Sequence, residues 1–294
     1  MKLLILGQNG QVGNALVSYC MFHNINYQAT DRSVLDITSK QDLQNYFEKH
    51  HDFSFVVNAT AYTAVDKAEH ESELADAVNH VAVRNLAVQC EIYNLPVIHI
   101  STDYVFDGTK KTNYHEDDAV SPLGVYGVSK LKGEQALQEV CHKHIILRVS
   151  WVFGVHGNNF VKTMAKVSVV KSELGVVSDQ YGGPTSASDI ARVIIEICQS
   201  KQEHWGLYHY SGFPVTTWHQ LAAAAIAEAR KQGLDVKVKS LKAIRTEDYP
   251  APTKRPVNSA FNTDKIFTNF NIKQASWQKD LSDVVLQLKI EMSE

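Results

Sequence analysis

Four apolar residues, Leu3-Leu4-Ile5-Leu6, run straight into Gly7-Gln8-Asn9-Gly10-Gln11-Val12-Gly13, and an amphipathic helical pattern over residues 12–22 follows. A strand with no polar side has no wet face, so it belongs inside a sheet covered on both sides. The glycines at every third position suit a tight turn at Gly7, close backbone approach to a pyrophosphate at Gly10 and close helix packing at Gly13. Free N–H groups and the helix dipole at such a turn hold an anionic diphosphate. The spacing is not the Gly-x-Gly-x-x-Gly of the usual dinucleotide fingerprint. By itself it also fits a glycine-rich turn with no ligand, and its place at the opening of a βαβ unit favours the cofactor.

The rest of the first half repeats this rhythm. Short β-rich runs at 27–30, 55–58, 97–101 and 145–149 alternate with helical patterns at 40–49, 73–93 and 126–140. That alternation predicts an α/β fold with a doubly wound parallel sheet of Rossmann type. Beyond residue 150 the rhythm loosens around Tyr181-Gly182-Gly183-Pro184 and Tyr249-Pro250-Ala251-Pro252, with helices expected at 159–171, 188–199, 217–232 and 277–290. The organisation expected is a dinucleotide-binding domain over 1–150 and a smaller mixed α/β substrate lobe over 151–294, partly interwoven with the first.

Composition excludes several classes. A length of 294 residues suffices for a full core. A net charge of −3, with no Lys/Arg block, gives no footprint for nucleic acid. Cys20, Cys90, Cys141 and Cys198 are scattered, which fits reduced thiols in a cytoplasmic protein rather than disulfides or a zinc site. The apolar start is cut off by Gly7 before it is long enough for a signal peptide. The alanine-rich stretch at 222–225 is flanked by His219, Glu228 and Arg230, so no membrane span is expected. Asn58-Ala59-Thr60 spells a glycosylation acceptor but ends a buried strand, and is read as unused. Leu16, Tyr19 and Cys20 form an apolar helix face that suits either the core or a homodimer contact.

Two further positions bear on the cofactor. The second strand ends at Thr30-Asp31-Arg32. An acidic residue about twenty positions past the glycines can accept from the adenosine ribose 2′-OH, and an adjacent arginine can meet a 2′-phosphate. Asp31 and Arg32 together point to use of either NADH or NADPH.

The chemistry is carried by Tyr126-Gly127-Val128-Ser129-Lys130 and the upstream Ser101-Thr102-Asp103. Tyr126 and Lys130 stand at i and i+4, on one helix face. An ammonium near a phenol lowers its pKa, and such a tyrosine donates a proton to a carbonyl oxygen as hydride reaches the carbon. Thr102, at the carboxyl end of the fourth strand, sits where doubly wound sheets place their ligands, and its hydroxyl can hold the same oxygen.

On these residues the chain resembles the extended short-chain dehydrogenase/reductase family over essentially its whole length. Within that family it looks like the branch that reduces 4-keto-6-deoxy sugar nucleotides. The narrower likeness rests on Gly10-Gln11-Val12-Gly13, Leu35-Asp36-Ile37-Thr38 and the stretch from Val57 to Glu69. It also rests on Ser101 to Gly108, Asp179 to Thr185, and Arg255-Pro256-Val257-Asn258-Ser259.

The resemblance implies that Gly10, Gln11 and Val12 line the pyrophosphate, Asp36 and Ile37 flank the adenine, and Ala61, Tyr62 and Thr63 run under the cofactor. Lys130 would also bind the nicotinamide ribose. Thr102, Asp103 and Tyr104 would contact the sugar, Trp151 would pack on it, and Asn159 and Arg255 would meet the nucleotide diphosphate, Arg255 through its guanidinium fork. The implied reaction is reduction of the C4 ketone of a dTDP-linked 6-deoxyhexose in nucleotide-sugar and polysaccharide biosynthesis. Two alternatives follow from the same resemblance: a reductase of another such sugar nucleotide, and a non-catalytic cofactor-binding regulatory subunit of the methionine adenosyltransferase type.

Two departures refine the expectation. Dehydratases of this fold follow the threonine with Asp-Glu, whereas Thr102-Asp103 is followed here by Tyr104, which favours plain reduction. Many of these reductases carry a glutamate two residues after the third glycine, sometimes tied to a divalent cation at a subunit contact; this chain has Ala15. The 13 histidines show no metal-ligand spacing either, so no metal site is assigned and a magnesium requirement is not expected.

Overall fold

Six parallel strands form one sheet in the order β10-β5-β4-β3-β1-β2 in the computed structural model, which describes residues 1–200 and 203–293. Along the chain, β1 (Lys2–Leu6), α1 (Gln11–Phe22), β2 (Asn26–Thr30), α2 (Lys40–Lys49) and β3 (Phe55–Asn58) come first. Then follow α3 (Val65–Ala68), α4 (Ser72–Asp76), a π-helical turn (Ala77–Val81), α5 (Ala82–Ile92), β4 (Val97–Thr102), α6 (Val125–Val140) and β5 (His144–Val149). The remainder holds β6 (Val152–Phe153), α7 (Phe160–Ser168), β7 (Glu173–Val177), β8 (Tyr181–Gly182), β9 (Thr185–Ser186), α8 (Ala187–Gln199) and β10 (Gly206–Tyr210). It ends with β11 (Thr216–Thr217), α9 (Trp218–Lys231), β12 (Ser240–Ile244), α10 (Asp264–Phe270) and α11 (Gln278–Glu291).

The apolar strands read from the sequence are buried on both faces, as their composition requires. On one face Leu3, Ile5, Val57 and Ile98 pack against Leu16 and Cys20 of α1 and Ile190, Ile194 and Ile197 of α8. On the other, Leu4, Leu6, Val56 and Val97 meet Leu43 and Phe47 of α2 and Leu86 and Cys90 of α5. Leu16 and Cys20 are fully buried, so the apolar face of α1 is core. All four cysteines are free and buried. Among the described residues no helix is long and apolar enough to cross a membrane.

The strand at Gly206–Tyr210 was not legible as part of the sheet. Its pattern alternates Tyr208 and Tyr210 with His209, which reads as a half-exposed strand, yet all three side chains are completely buried. His209 is tolerated there because Tyr114 O lies 3.1 Å from Nδ1 and Arg148 lies 3.3 Å from Nε2. A chain segment far beyond residue 150 thus pairs in register with β5, from Gly206 against Ile145 to Tyr210 against Val149. A separate apolar cluster, with Phe153, Val161, Leu221, Trp277, Leu281 and Leu288, joins α7, α9 and α11 away from the sheet. The short two-residue strands and the β7–β12 pair had no clear periodicity to announce them. Successive strands step outward from β1 in opposite directions, to β2 on one side and β3 on the other. Doubly wound sheets form their ligand crevice at such a reversal, beyond the carboxyl ends of the strands.

Candidate active site

At that reversal β1 ends in Gly7, whose φ of +85° puts it in the left-handed region. The Gly7 and Gln8 N–H groups donate to Thr30 O at 2.9 and 3.1 Å, closing the turn against β2. A Cβ on Gly13 would lie 2.0 Å from Gly7 O, so α1 seats on the turn only because residue 13 lacks a side chain. Gly10 is different. A Cβ there would meet only Gly7 O at 3.4 Å and Ala59 O at 3.9 Å, so the protein's own packing does not demand glycine. The space kept clear belongs to a cleft of about 590 Å³ lined by Asn9, Gly10, Gln11 and Val12 together with Ala59, Thr60, Ala61 and Thr63. The α1 N-terminus carries no side-chain cap and no acidic residue in its first turn, leaving its donors and dipole for an anion. This cradle fits a dinucleotide diphosphate.

The other nominated cofactor residues lie around the turn rather than in the cleft wall. Asp31 accepts from Asn9 at 3.0 Å, from Gln8 at 3.3 Å and from Ser33, which together hold its carboxyl down near 2. Arg32 pairs with Asp36 at 3.0 Å on the surface, and Asp36 also accepts from the Thr38 backbone and hydroxyl. Ile37 is buried in the layer under α2. Tyr62 donates through its hydroxyl to Glu71 at 2.8 Å, while its backbone N–H and C=O pair with Asn79 at 2.9 and 3.0 Å. Asn79 sits in the π turn, and Gly133 of α6 packs so closely that a Cβ there would lie 2.0 Å from Asn79 O. Its amide also donates to Ser129 at 3.0 Å, tying the loop after β3 to α6.

Opposite the cradle, the ends of β4 and α6 bring Ser101, Thr102, Asp103, Tyr104, Tyr126 and Lys130 into the same cleft. Tyr126 and Lys130 are one helical turn apart and both buried. Burial pushes the Tyr126 phenol up to about 12; the Thr102 hydroxyl draws it down and the Asp103 charge raises it further. The depression by Lys130 expected from the sequence is absent. Lys130 Nζ instead donates to Ile100 O at 2.7 Å and stands 3.2 Å from His99 Nε2, and burial lowers its own pKa to about 8. Asp103 is pushed up to about 6 by burial, partly offset by the Ser259 and Thr102 hydroxyls. Its Oδ1 lies 3.1 Å from Thr102 Oγ1, whereas Oδ2 and the nearby Ser101 Oγ are buried without a hydrogen-bond partner. Buried polar atoms normally find partners, so two orphans lining one cleft are suited to a polar ligand.

The remaining wall comes from the second half of the chain. Trp151 adopts a φ of +48°, unusual for a bulky residue, and stacks on Trp218 with centroids 3.6 Å apart and planes 9° apart. Gly182 makes room for the Trp151 ring, which would stand 2.4 Å from a Cβ there. Phe160 leans on Trp218 at 4.6 Å. Asn159 caps α7 through Lys162 N and donates to Gln11 Oε1 at 3.1 Å, so it bridges α7 to the phosphate turn. Arg255 lines an adjoining groove of about 310 Å³ with Gln180, Trp218, Thr246 and Tyr249. One of its nitrogens lies 3.3 Å from Asp66 Oδ2, and its Nε is buried without a partner. Trp218, Phe160, His99 and Asn79 escaped the sequence reading, because each reaches the site by tertiary packing and carries no local motif. Among the described residues no group of three or more His, Cys, Asp or Glu is placed to hold a metal ion.

A doubly wound parallel sheet with a glycine-turn cradle facing a Thr/Tyr/Lys wall defines a nicotinamide-dependent oxidoreductase of the extended short-chain dehydrogenase/reductase type. Known proteins narrow this. The family model described as RmlD substrate binding domain matches residues 1–290. A dTDP-4-dehydrorhamnose reductase from Aggregatibacter actinomycetemcomitans is 42% identical over 289 residues, covering 96% of this chain and 98% of that one. Its counterpart from Escherichia coli (strain K12) is 39% identical, covering 98% of both. The crystal structure of dTDP-4-dehydrorhamnose reductase from Bacillus anthracis in complex with NADP superposes with a TM-score of 0.90 at 32% identity, covering 97% of this chain and 99% of that one. The chain belongs to the dTDP-4-dehydrorhamnose reductase family.

Proposed function

We propose that this protein reduces the C4 ketone of dTDP-4-dehydro-6-deoxy-L-mannose (dTDP-4-dehydrorhamnose) to give dTDP-L-rhamnose, drawing on NADPH or NADH. The observation that carries the reading is the single cleft in which the glycine cradle faces Thr102, Tyr126 and Lys130. Relatives covering nearly the whole chain carry that activity in their names, and a structural neighbour holds NADP.

Gly10, Gln11 and Val12 hold the diphosphate of the cofactor, Ala61 and Thr63 run beneath it, and Asp31, Arg32, Asp36 and Ile37 serve its adenosine end. When bound, the reduced nicotinamide supplies the hydride that the ketone carbon receives. Tyr126 is protonated at neutral pH and so holds a proton ready for the ketone oxygen. The Thr102 hydroxyl donates to the same oxygen and orients it. Lys130 anchors the nicotinamide ribose. Asp103 and Ser101, with unpaired buried oxygens, take sugar hydroxyls, and Tyr104 packs beside them. Trp151, stacked on Trp218, covers the sugar and keeps water out, while Arg255 and Asn159 lie toward the nucleotide diphosphate. On this reading residues 1–150 chiefly serve the cofactor and 151–294 the sugar nucleotide. A cytoplasmic enzyme, and a homodimer, belong to the same proposal.

Purified protein given dTDP-4-keto-6-deoxyglucose and a 3,5-epimerase should oxidise NADPH, with turnover absent when the epimerase is omitted. Tight NADPH binding without turnover would move the assignment to another sugar nucleotide or to a regulatory subunit.

A further inference from the structure

Behind the reactive wall lies a chain of polar side chains: the half-buried Thr60, then the buried Asn58, His99 and Lys130. Its polarity can be read because one end is fixed by a backbone donor. Thr60 N–H donates to Asn58 Oδ1 at 3.1 Å and the Thr60 hydroxyl donates to the same oxygen at 2.5 Å. Asn58 therefore turns its amide nitrogen, a donor, toward His99 Nδ1 at 3.1 Å. His99 Nδ1 accepts, so the ring proton of neutral His99 sits on Nε2, the nitrogen 3.2 Å from Lys130 Nζ. His99 is fully buried; burial holds its pKa well below the ordinary value and the Lys130 charge lowers it further, so the ring stays neutral.

An ammonium on Lys130 has three donors and no acceptor. One of them satisfies Ile100 O at 2.7 Å, but none can pair with a nitrogen that itself carries a proton. The neutral amine fits: it donates to Ile100 O, accepts from His99 Nε2–H through its lone pair, and keeps one N–H free. We propose that His99, locked as its Nε2–H tautomer by Asn58, is a positioning residue that opposes the charged form of Lys130 and thereby sets the pH range over which Lys130 acts.

The titratable groups about Lys130 are His99 on β4, Asp103 just beyond that strand, and Tyr126 and Glu134 on α6. Glu134 favours the charged lysine, but its carboxylate is spent on Arg148 at 2.6 and 2.9 Å. His99 is the group in direct contact, and Asn58 and Thr60 place no counter-charge behind it. This inference rests on the reading of Lys130 as part of the reactive wall. Its test does not require turnover.

The first measurement is nitrogen-15 NMR of the histidine rings in the cofactor-free wild-type protein. His99 should show a protonated Nε2 and a bare Nδ1 from acid to alkaline pH; the opposite tautomer would overturn the proposal without any variant being made. The second follows the Lys130 titration by carbon-13 labelling of lysine in the wild type and in His99→Gln. The glutamine amide reaches the same place and can turn its carbonyl oxygen to the ammonium, so the Lys130 pKa should rise by about one unit or more. The alkaline limb of NADPH binding should move with it. A folded His99→Gln protein with an unchanged Lys130 titration would also overturn the proposal. Failure of sugar-nucleotide reduction in the wild type, with these NMR results intact, would count against the substrate assignment alone.

Discussion

At the level of single residues, the site is governed by what burial does to three ionisable groups. Tyr126 and Asp103 are pushed up and Lys130 down, each by loss of water before any charge partner is considered. A phenol raised to about 12 is a dependable proton holder, and Tyr126→Phe should lower kcat at least about a hundredfold while leaving the Kd for NADPH nearly unchanged. Retained turnover in that variant would remove Tyr126 from its role. Asp103 makes a pH prediction. Its folded pKa of about 6 stands above the usual unfolded value near 3.9, so the native state binds the proton more tightly. Stability therefore falls as pH rises through roughly 4 to 6, and the cost of the buried carboxylate is fully present above that window. Asp103→Asn should gain stability over the wild type by about 2–3 kcal/mol more at pH 8 than at pH 4. Urea denaturation at the two pH values measures the difference; a pH-independent gap would contradict the buried charge.

Individual elements explain why the glycines of one turn are not equivalent. Gly13 is required by the protein itself, since a methyl there collides with Gly7 O at 2.0 Å. Gly10 is required only by what fills the cleft. Gly13→Ala should lower both the melting temperature and NADPH affinity, because α1 must lift off β1. Gly10→Ala has an extended backbone that alanine accepts, with φ −78° and ψ 167°. It should melt within a degree or two of the wild type, yet lose NADPH affinity by about tenfold or more. Equal melting losses for the two variants would show that Gly10 is structural. Helix α6 is fixed in the same spirit: Gly133 lets it lie against the π turn, and Glu134 holds it to β5 through a buried pair with Arg148. Removing one partner of such a pair strands a buried charge, so the helix that presents Tyr126 and Lys130 is held in register from both sides.

Across the whole molecule, the chain returns to the sheet after leaving it, and that return closes the cleft. β10 pairs with β5, α8 covers α1, and the segments before β6, at α7 and after β10 carry Trp151, Phe160 and Trp218 over the reactive wall. The aromatic stack is the main apolar contribution from the second half. Trp218→Ala should raise KM for the sugar nucleotide about tenfold through loss of the stacked cover, with NADPH affinity within about twofold of the wild type. Isothermal titration and steady-state kinetics separate the two. A matching loss of NADPH affinity would place Trp218 with the cofactor instead.

The sequence by itself determined the features whose physics is local. Apolar strands that must be buried on both faces, glycines at a strand–helix turn, and a tyrosine and lysine one helical turn apart are legible because each requirement is met within a few neighbouring residues. The first five strands and the main helices follow from that periodicity nearly to the residue. Only the tertiary structure decided the rest. Gly206–Tyr210 joins the sheet because Arg148, Tyr114 and Glu116, all distant in sequence, satisfy the buried His209. Trp218 reaches the cleft through the packing of α9 on α7. The lowered pKa of Lys130, where the i,i+4 spacing suggested a lowered Tyr126, comes from burial that the fold imposes, with a histidine of β4 as its direct neighbour and an asparagine of β3 behind that. Hydrogen-bond polarity and desolvation depend on which groups meet after folding, and no local pattern encodes that.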